Sequence, residues 1–413
     1  MQKPDYSIGL FRLLPTIISE SLKIDIEEPY SEWILDKRTY RKKFEETDYV
    51  VLFIIDALAI TQLQGMLEEL WKKSGKMKLC SVVPTTTSNA IASLYIGLPP
   101  EMHGIIATKF YLPQIGNFID ILSGKVPGTG FRDALAQIGV RLSSFLWHLP
   151  VYHAIPQEKL VVVDLYPKEL EGGLRHVYEE NTVGVPCATI ADLVYSIPEI
   201  IRQLHKRNLP GLLIAYSADI DSVGHIFGAS DALKLTINFH NEAIDALIKL
   251  LEKTAKELGV KIKIIITSDH GQTELKKIIK ISEEKMNELQ EKGIHIQQSG
   301  RFAFVYTSNN EIDNVKAMLE DILGTEDTDI LTLEEAVKLG FWPALSDEIY
   351  EKFAKRAGQL IILPRNHVDI SKEKKKKESI LEDIGYYSRE FRSSHGGISK
   401  EELETPLIVL DIQ

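Results

Sequence analysis

Cysteine is scarce: Cys80 and Cys187 are the only two in 413 residues. They can close at most one bridge and neither belongs to a CxxC pair, which excludes a disulfide framework and a thiolate metal cluster. Two buried thiols are the expected state. Long hydrophobic runs are missing as well. A membrane helix needs roughly 18 or more uninterrupted apolar residues, whereas the most apolar stretch, Tyr49 to Ile55, is stopped by Asp56. The opening MQKPDYSIGLFRLLPTIISES carries Asp5 and Pro15 and lacks the apolar core of a secretory signal. The expectation is a cytoplasmic protein with no membrane partner. Positive charge is in deficit, 48 Lys and Arg against 59 Asp and Glu, for a net charge of −11. Such a field repels polyanions, so no nucleic-acid polymer is expected as a partner. A small phosphorylated substrate remains open if bound divalent ions reverse the sign locally. The oligomeric state is not readable from the chain.

What is present is a globular composition, 44% hydrophobic and 8% aromatic, on a length that allows roughly two or three structural units. Asp48 to Ile55 (DYVVLFII) is a continuous apolar, β-branched run of strand length, as in a strand covered on both faces. Leu63, Met66, Leu67 and Leu70 then repeat at helical spacing, with Gly75 as a stop signal. Further strands are expected at Leu160 to Val163, Gly211 to Ala215, Lys263 to Thr267 and Pro406 to Leu410. A long helix carrying Ile237, Ile244, Leu247, Leu251 and Leu258 on one stripe should end at Gly259. Alternating buried strands and helices predict an α/β fold with a mostly parallel central sheet flanked by helices. The Glu- and Lys-rich stretch after Lys276 contains a short strand, Arg301 to Tyr306, and a helix around Val315 to Leu323. It suggests residues 276–384 as an inserted smaller α+β subdomain, with 1–275 and 385–413 forming the catalytic core. The run Lys372 to Glu378 (KEKKKKE) is expected to be a solvated loop.

In open α/β sheets ligands gather beyond the carboxyl ends of the strands. Asp56 ends the first strand, Asp221 and His225 follow the Gly211 strand, and Asp269 and His270 end the Lys263 strand in IIITSDHG. His395 stands shortly before the last strand in SSHGGISKEE. Taken singly, a strand-end Asp is commonly a helix cap and a lone His is commonly packed. Jointly, three Asp and three His form the ligand set for zinc or a similar divalent ion, enough for two of them. Thr85, Thr86 and Thr87 follow Pro84 and precede a small-residue helix. A hydroxyl at a helix N-terminus is placed to act as a nucleophile or to cap the helix.

These ordered segments, Asp56, PTTTSNAIASLYIGLPPEMHGI, DSVGH, SDHG and HGGISKEE, resemble the alkaline phosphatase superfamily and, within it, the type I phosphodiesterase/nucleotide pyrophosphatase family. The resemblance runs over about residues 48–410. It implies an alkaline phosphatase-like fold, Thr87 as nucleophile with Thr86 as the fallback, and two divalent cofactors, zinc first, with manganese or iron as alternatives. One ion would be held by Asp56, Asp269 and His270 with the Thr87 oxygen, the other by Asp221, His225 and His395. The implied reaction is hydrolysis of phosphate diesters or pyrophosphate bonds through a phosphothreonine. The family typically reads T-F-P-N at the nucleophile and H-G-I-V-N-N after it. Here the segments are Thr87-Ser88-Asn89-Ala90 and His103-Gly104-Ile105-Ile106-Ala107-Thr108, which makes Thr108 the candidate hydrogen-bond donor to a phosphate oxygen. Lys109, Arg301 and Arg392 are further candidates, and His103 is expected to fix its turn. A phosphomonoesterase or phosphonate hydrolase on the same scaffold is the alternative activity, and a metal-binding protein without catalysis is the alternative class.

Overall fold

The structure, a computed structural model, describes residues 2–36, 40, 43–308, 311–373 and 390–413. Its centre is a seven-stranded sheet. In spatial order the strands are Met77–Cys80, Glu404–Ile412, Ile262–Thr267, Tyr49–Ile55, Gly211–Ser217, Val161–Pro167 and Thr182–Cys187. Glu404–Ile412 runs antiparallel to both its neighbours; the other pairings are parallel.

The uninterrupted apolar run of the central strand has a direct cause. Val50, Leu52 and Ile54 enter one hydrophobic core, while Tyr49, Val51, Phe53 and Ile55 enter a second core on the opposite face. Side chains alternate across a strand, so a strand covered on both faces can carry no polar alternation. Each of these aliphatic residues removed from water contributes about 1.5–3 kcal/mol. The second core is closed by helices Gly65–Lys73, Ile190–Lys206 and Asp231–Leu258, the first by helix Thr87–Ile96. The long helix ends at Gly259, whose φ of 68° is the left-handed cap that glycine adopts without strain.

A four-stranded antiparallel sheet, in the order Ile294–Ser299, Phe302–Thr307, Leu360–Pro364, Thr328–Thr332, lies within residues 276–384. Phe302, Phe304, Ile361 and Leu363 join the main core; Ala303, Val305, Leu360 and Ile362 face helices Glu283–Glu291 and Ile312–Leu323. The two central strands of the smaller sheet therefore pack one face onto the main core. The boundary expected at 384 and the charge run from position 374 onward fall outside the described residues. Among the described residues no helix is long and apolar enough to cross a membrane.

Candidate metal centre

Three neighbouring parallel strands set the geometry. Ile54 is in register with Thr267 and Ile55 with Ser217, so the chain segments that leave these strands emerge side by side at one edge of the sheet. They carry Asp56, the pair Asp269 and His270, and helix Asp219–Phe227 with Asp221 and His225 one turn apart. His395 arrives from a different part of the chain, in the segment Ser393–Ser394 that pairs antiparallel with Thr273–Glu274. The result is two groups, Asp56 with Asp269 and His270, and Asp221 with His225 and His395; within each group, one ligand atom per residue lies within 4.8 Å of the others. The rings of His270 and His395 stack between them at 4.1 Å.

Each imidazole is oriented by a backbone carbonyl. Nδ1 of His225 lies 2.9 Å from O of Ser393, Nδ1 of His270 lies 3.1 Å from O of Gly271, and Nδ1 of His395 lies 2.9 Å from O of Thr85. A carbonyl only accepts, so Nδ1 carries the proton in all three rings and Nε2 presents its lone pair to the cluster. That Nε2 is 3.3 Å from Asp221 Oδ1 for His225 and 3.6 Å for His395, while in His270 it is 3.5 Å from Asp56 Oδ1 and 3.4 Å from Asp269 Oδ2.

The carboxylates are handled the same way. Oδ1 of Asp269 accepts from the backbone N–H of Ala57 and of His270, and Oδ2 of Asp56 accepts from the Tyr216 hydroxyl. The remaining oxygens, Asp269 Oδ2 and Asp56 Oδ1, are buried with no hydrogen-bond partner among the described residues. Bare carboxylate oxygens facing imidazole lone pairs are costly in a low-dielectric interior unless a cation completes them. The donor set therefore fits divalent ions of the zinc type.

The same burial governs protonation. It raises the Asp56 carboxyl well above its ordinary range, with Asp269 and Asp221 adding repulsion, and brings Asp269 up to about 6. Burial also pushes His270 down to about 4 and His395 down to about 3. For Asp221 burial opposes ionisation, but the charge that His225, His395 and His270 carry when protonated outweighs it and holds the carboxyl below its usual range. Neutral imidazoles near neutral pH are the form that binds metal.

The three threonines do three different things. Thr85 bonds the His395 loop, its hydroxyl donating to O of Gly397 and accepting from N of Gly396. Thr86 is the N-cap residue of helix Thr87–Ile96, and its buried hydroxyl has no partner among the described residues. Thr87 opens that helix, with Oγ1 3.1 Å from Nε2 of His270. Ser88 Oγ lies 2.7 Å from Oγ1 of Thr108, whose backbone N–H donates to Ser299 Oγ. Thr108 is thereby held against Ser88, the residue that follows Thr87. Lys109 is exposed and lines a cavity of about 310 Å³ with Phe118, Asp120, Lys125 and Gln297.

Arg301 requires a correction. Expected as a phosphate contact, it is 1% exposed, and its guanidinium donates to Glu402 and to the backbone O of Val368, Pro364 and Asn366. Its backbone N–H donates to O of His395, so it supports the loop that carries a cluster histidine. Arg392 is exposed, next to the Ser393 carbonyl that bonds His225. His103 accepts from N of Ile105 through Nδ1 and meets Ser93 through Nε2, which fixes the turn. Sequence reasoning did not find Tyr216 and Gln272, which touch Asp56 and Asp221; only tertiary contact reveals them.

Comparison with known proteins places this geometry. The sequence model of the type I phosphodiesterase / nucleotide pyrophosphatase family matches residues 50–397. Human ectonucleotide pyrophosphatase/phosphodiesterase family member 1 is 24% identical over 247 residues, 55% of this chain and 24% of that protein; the chain thus spans about a quarter of that relative's length. Murine ectonucleotide pyrophosphatase/phosphodiesterase 5 has a similar fold, with a TM-score of 0.62 at 17% identity over 87% of each chain. An inactive form of the murine protein in complex with AMP gives 0.61 at 16% identity, again over 87% of each chain. Phosphonoacetate hydrolase from Sinorhizobium meliloti in complex with phosphonoformate gives a TM-score of 0.58 at 15% identity, over 88% of this chain and 90% of that one.

Proposed function

Because the chain belongs to the type I phosphodiesterase/nucleotide pyrophosphatase family of the alkaline phosphatase superfamily, we propose that it hydrolyses phosphate diesters or pyrophosphate bonds through a covalent intermediate on Thr87. One observation carries the reading. Three imidazoles, each fixed by a backbone carbonyl, turn their Nε2 toward three carboxylates, and the Thr87 hydroxyl abuts one of them. In this reading Asp56, Asp269 and His270 hold one divalent ion and Asp221, His225 and His395 hold a second. Zinc suits the nitrogen and oxygen donors, with manganese or iron as alternatives. When bound, the ions supply positive charge for the phosphoryl oxygens and lower the pKa of a coordinated hydroxyl.

The chain's own residues do the rest. Thr87 Oγ1 loses its proton to solvent water and attacks phosphorus, and the bond from phosphorus to the leaving oxygen breaks, that oxygen departing with the electron pair and taking a proton from water. The N–H groups of the first turn of helix Thr87–Ile96 face the developing charge. Water then attacks the phosphothreonine, its hydroxyl oxygen bonding to phosphorus as the bond from phosphorus to Oγ1 breaks, and its proton passes to Oγ1, which restores the Thr87 hydroxyl. Thr108, beside Ser88, is the side-chain donor for a non-bridging oxygen, and Lys109 attracts the anion from solvent. The inserted segment shapes the substrate pocket through its described part; Gln297, from that segment, lines the cavity beside Lys109. AMP in the related murine protein points to a nucleoside monophosphoryl group as one substrate half. Two buried free thiols, Cys80 and Cys187, suit the cytoplasm.

The test is the ratio of initial rates of the zinc-loaded protein on bis-p-nitrophenyl phosphate and on p-nitrophenyl phosphate, with a chelated control. Chelator-sensitive turnover that favours the diester supports the proposal. A preference for the monoester overturns the diesterase assignment, and no turnover of either overturns the hydrolase assignment for esters of this class.

A further inference from the structure

Gln272 follows His270 by two residues, is buried, and reaches into the other cluster. Its Nε2 donates to the backbone O of Asp221 at 3.1 Å and also to Oδ1 of Asp221, the oxygen that faces His225 and His395. Its Oε1 lies 2.8 Å from Oγ of Ser393, whose single hydroxyl proton is shared between this oxygen and the backbone O of Gly224 at 2.6 Å. The backbone O of Ser393 is the acceptor that fixes Nδ1 of His225, and Ser393 stands two residues before His395. One amide side chain thus contacts Asp221 directly, and through Ser393 it contacts the segment that orients His225 and carries His395. It does so from the loop that carries Asp269 and His270.

A second observation shows that the surrounding helix is shaped for this amide. A Cβ built on Gly224 would lie 2.1 Å from Oε1 of Gln272. Any larger residue at 224 would displace the amide, so the absence of a side chain there keeps the Gln272 position open. Carboxylates and imidazoles that bind metal are set by the groups that hydrogen-bond to them, and loss of such a partner typically costs about 10–100-fold in metal affinity.

We propose that Gln272 is a positioning residue that ties the two cation sites together, orienting Asp221, His225 and His395 from the loop that carries Asp269 and His270. This rests on the two-ion reading given above. Gln272 takes no part as a ligand. Its amide N–H restrains the Asp221 carboxylate, and its carbonyl restrains the Ser393 hydroxyl. The Asp221 site therefore depends on the Asp269 loop being in place.

The experiment titrates the metal-free, full-length protein with zinc in competition with a chromophoric chelator, for the unaltered chain, Gln272→Leu and Ser393→Ala, alongside thermal melts of each metal-free form. The unaltered chain takes up two equivalents. Gln272→Leu weakens one of the two by roughly 10–100-fold and leaves the other unchanged. Ser393→Ala weakens the same one by less, because the backbone carbonyl to His225 remains. If Gln272→Leu fails to fold, Ser393→Ala decides alone. Equal weakening of both sites, or of neither, overturns the coupling role. Fewer than two equivalents on the unaltered chain overturns the two-ion reading and the role of Gln272 with it.

Discussion

The hydroxyl of Thr87 lies 3.1 Å from Nε2 of His270. His270 Nδ1 is already committed to the Gly271 carbonyl, so Nε2 is an acceptor and the threonine proton points into the cluster. Thr87→Ala is expected to reduce kcat by roughly 10³-fold or more while leaving the melting temperature within a few degrees, as loss of an attacking group does. Thr87→Ser should retain measurable turnover. Thr86→Ala, which alters a hydroxyl with no partner among the described residues, should keep most of the activity. Steady-state kinetics with parallel thermal melts would show all three.

Metal removal should destabilise the fold as well as stop the reaction. The uncompensated oxygens of Asp56 and Asp269 sit in the interior, so each ion held at about 100 times its Kd adds about 2.7 kcal/mol. Melting with and without chelator should reveal a gap, and Asp56→Asn should shrink it. A gap that survives intact in Asp56→Asn would count against Asp56 as a ligand.

Arg301 and Lys109 should separate cleanly. Arg301 forms a buried pair with Glu402 at 2.8 Å, and Glu402 also accepts from N of Gly397 near His395. Arg301→Met leaves that carboxylate uncompensated and should cost about 3–5 kcal/mol, read as a lower urea midpoint. Lys109 is exposed. Lys109→Ala should leave the midpoint unchanged and raise KM by at most roughly fivefold, the effect of about 1 kcal/mol from an exposed charge.

Glu101 predicts a pH dependence of stability away from the site. Burial pushes its carboxyl up to about 8, although it accepts from N of Ala344 at 2.7 Å, and its Oε2 has no partner among the described residues. Above the ordinary carboxyl pKa the unfolded chain has released this proton while the folded chain keeps it. Stability from this group therefore falls as pH rises from about 4.5 to about 8, with a limiting slope of about 1.4 kcal/mol per pH unit. Below that window there is no penalty. Glu101→Gln should flatten the decline, as denaturant midpoints across the window would show.

Much of this was legible in the chain because strand ends announce themselves. The apolar runs closing at Ile55, Ser217 and Thr267 left Asp56, Asp221 and Asp269 standing within a few residues of the strand ends, and a parallel sheet brings such ends together. Other features carry no periodic signal. Strand Met77–Cys80 is four residues long and half of it is only partly buried. Edge strand Thr182–Cys187 contains Gly184 and Pro186 and is mostly exposed or partly buried, a composition the edge of a sheet tolerates. Arg301 was read as a phosphate contact because no local pattern reveals that Glu402, far along the chain, stands opposite it. Tyr216 and Gln272 were missed for the same reason: their meaning lies in what they touch.

The most direct test of the account is the stereochemical course at phosphorus, followed on a P-chiral aryl phosphorothioate diester hydrolysed by the zinc-loaded protein in isotopically labelled water. Two successive displacements, first by Thr87 and then by water, predict net retention of configuration. Net inversion would mean a single attack by water and would contradict the phosphothreonine intermediate.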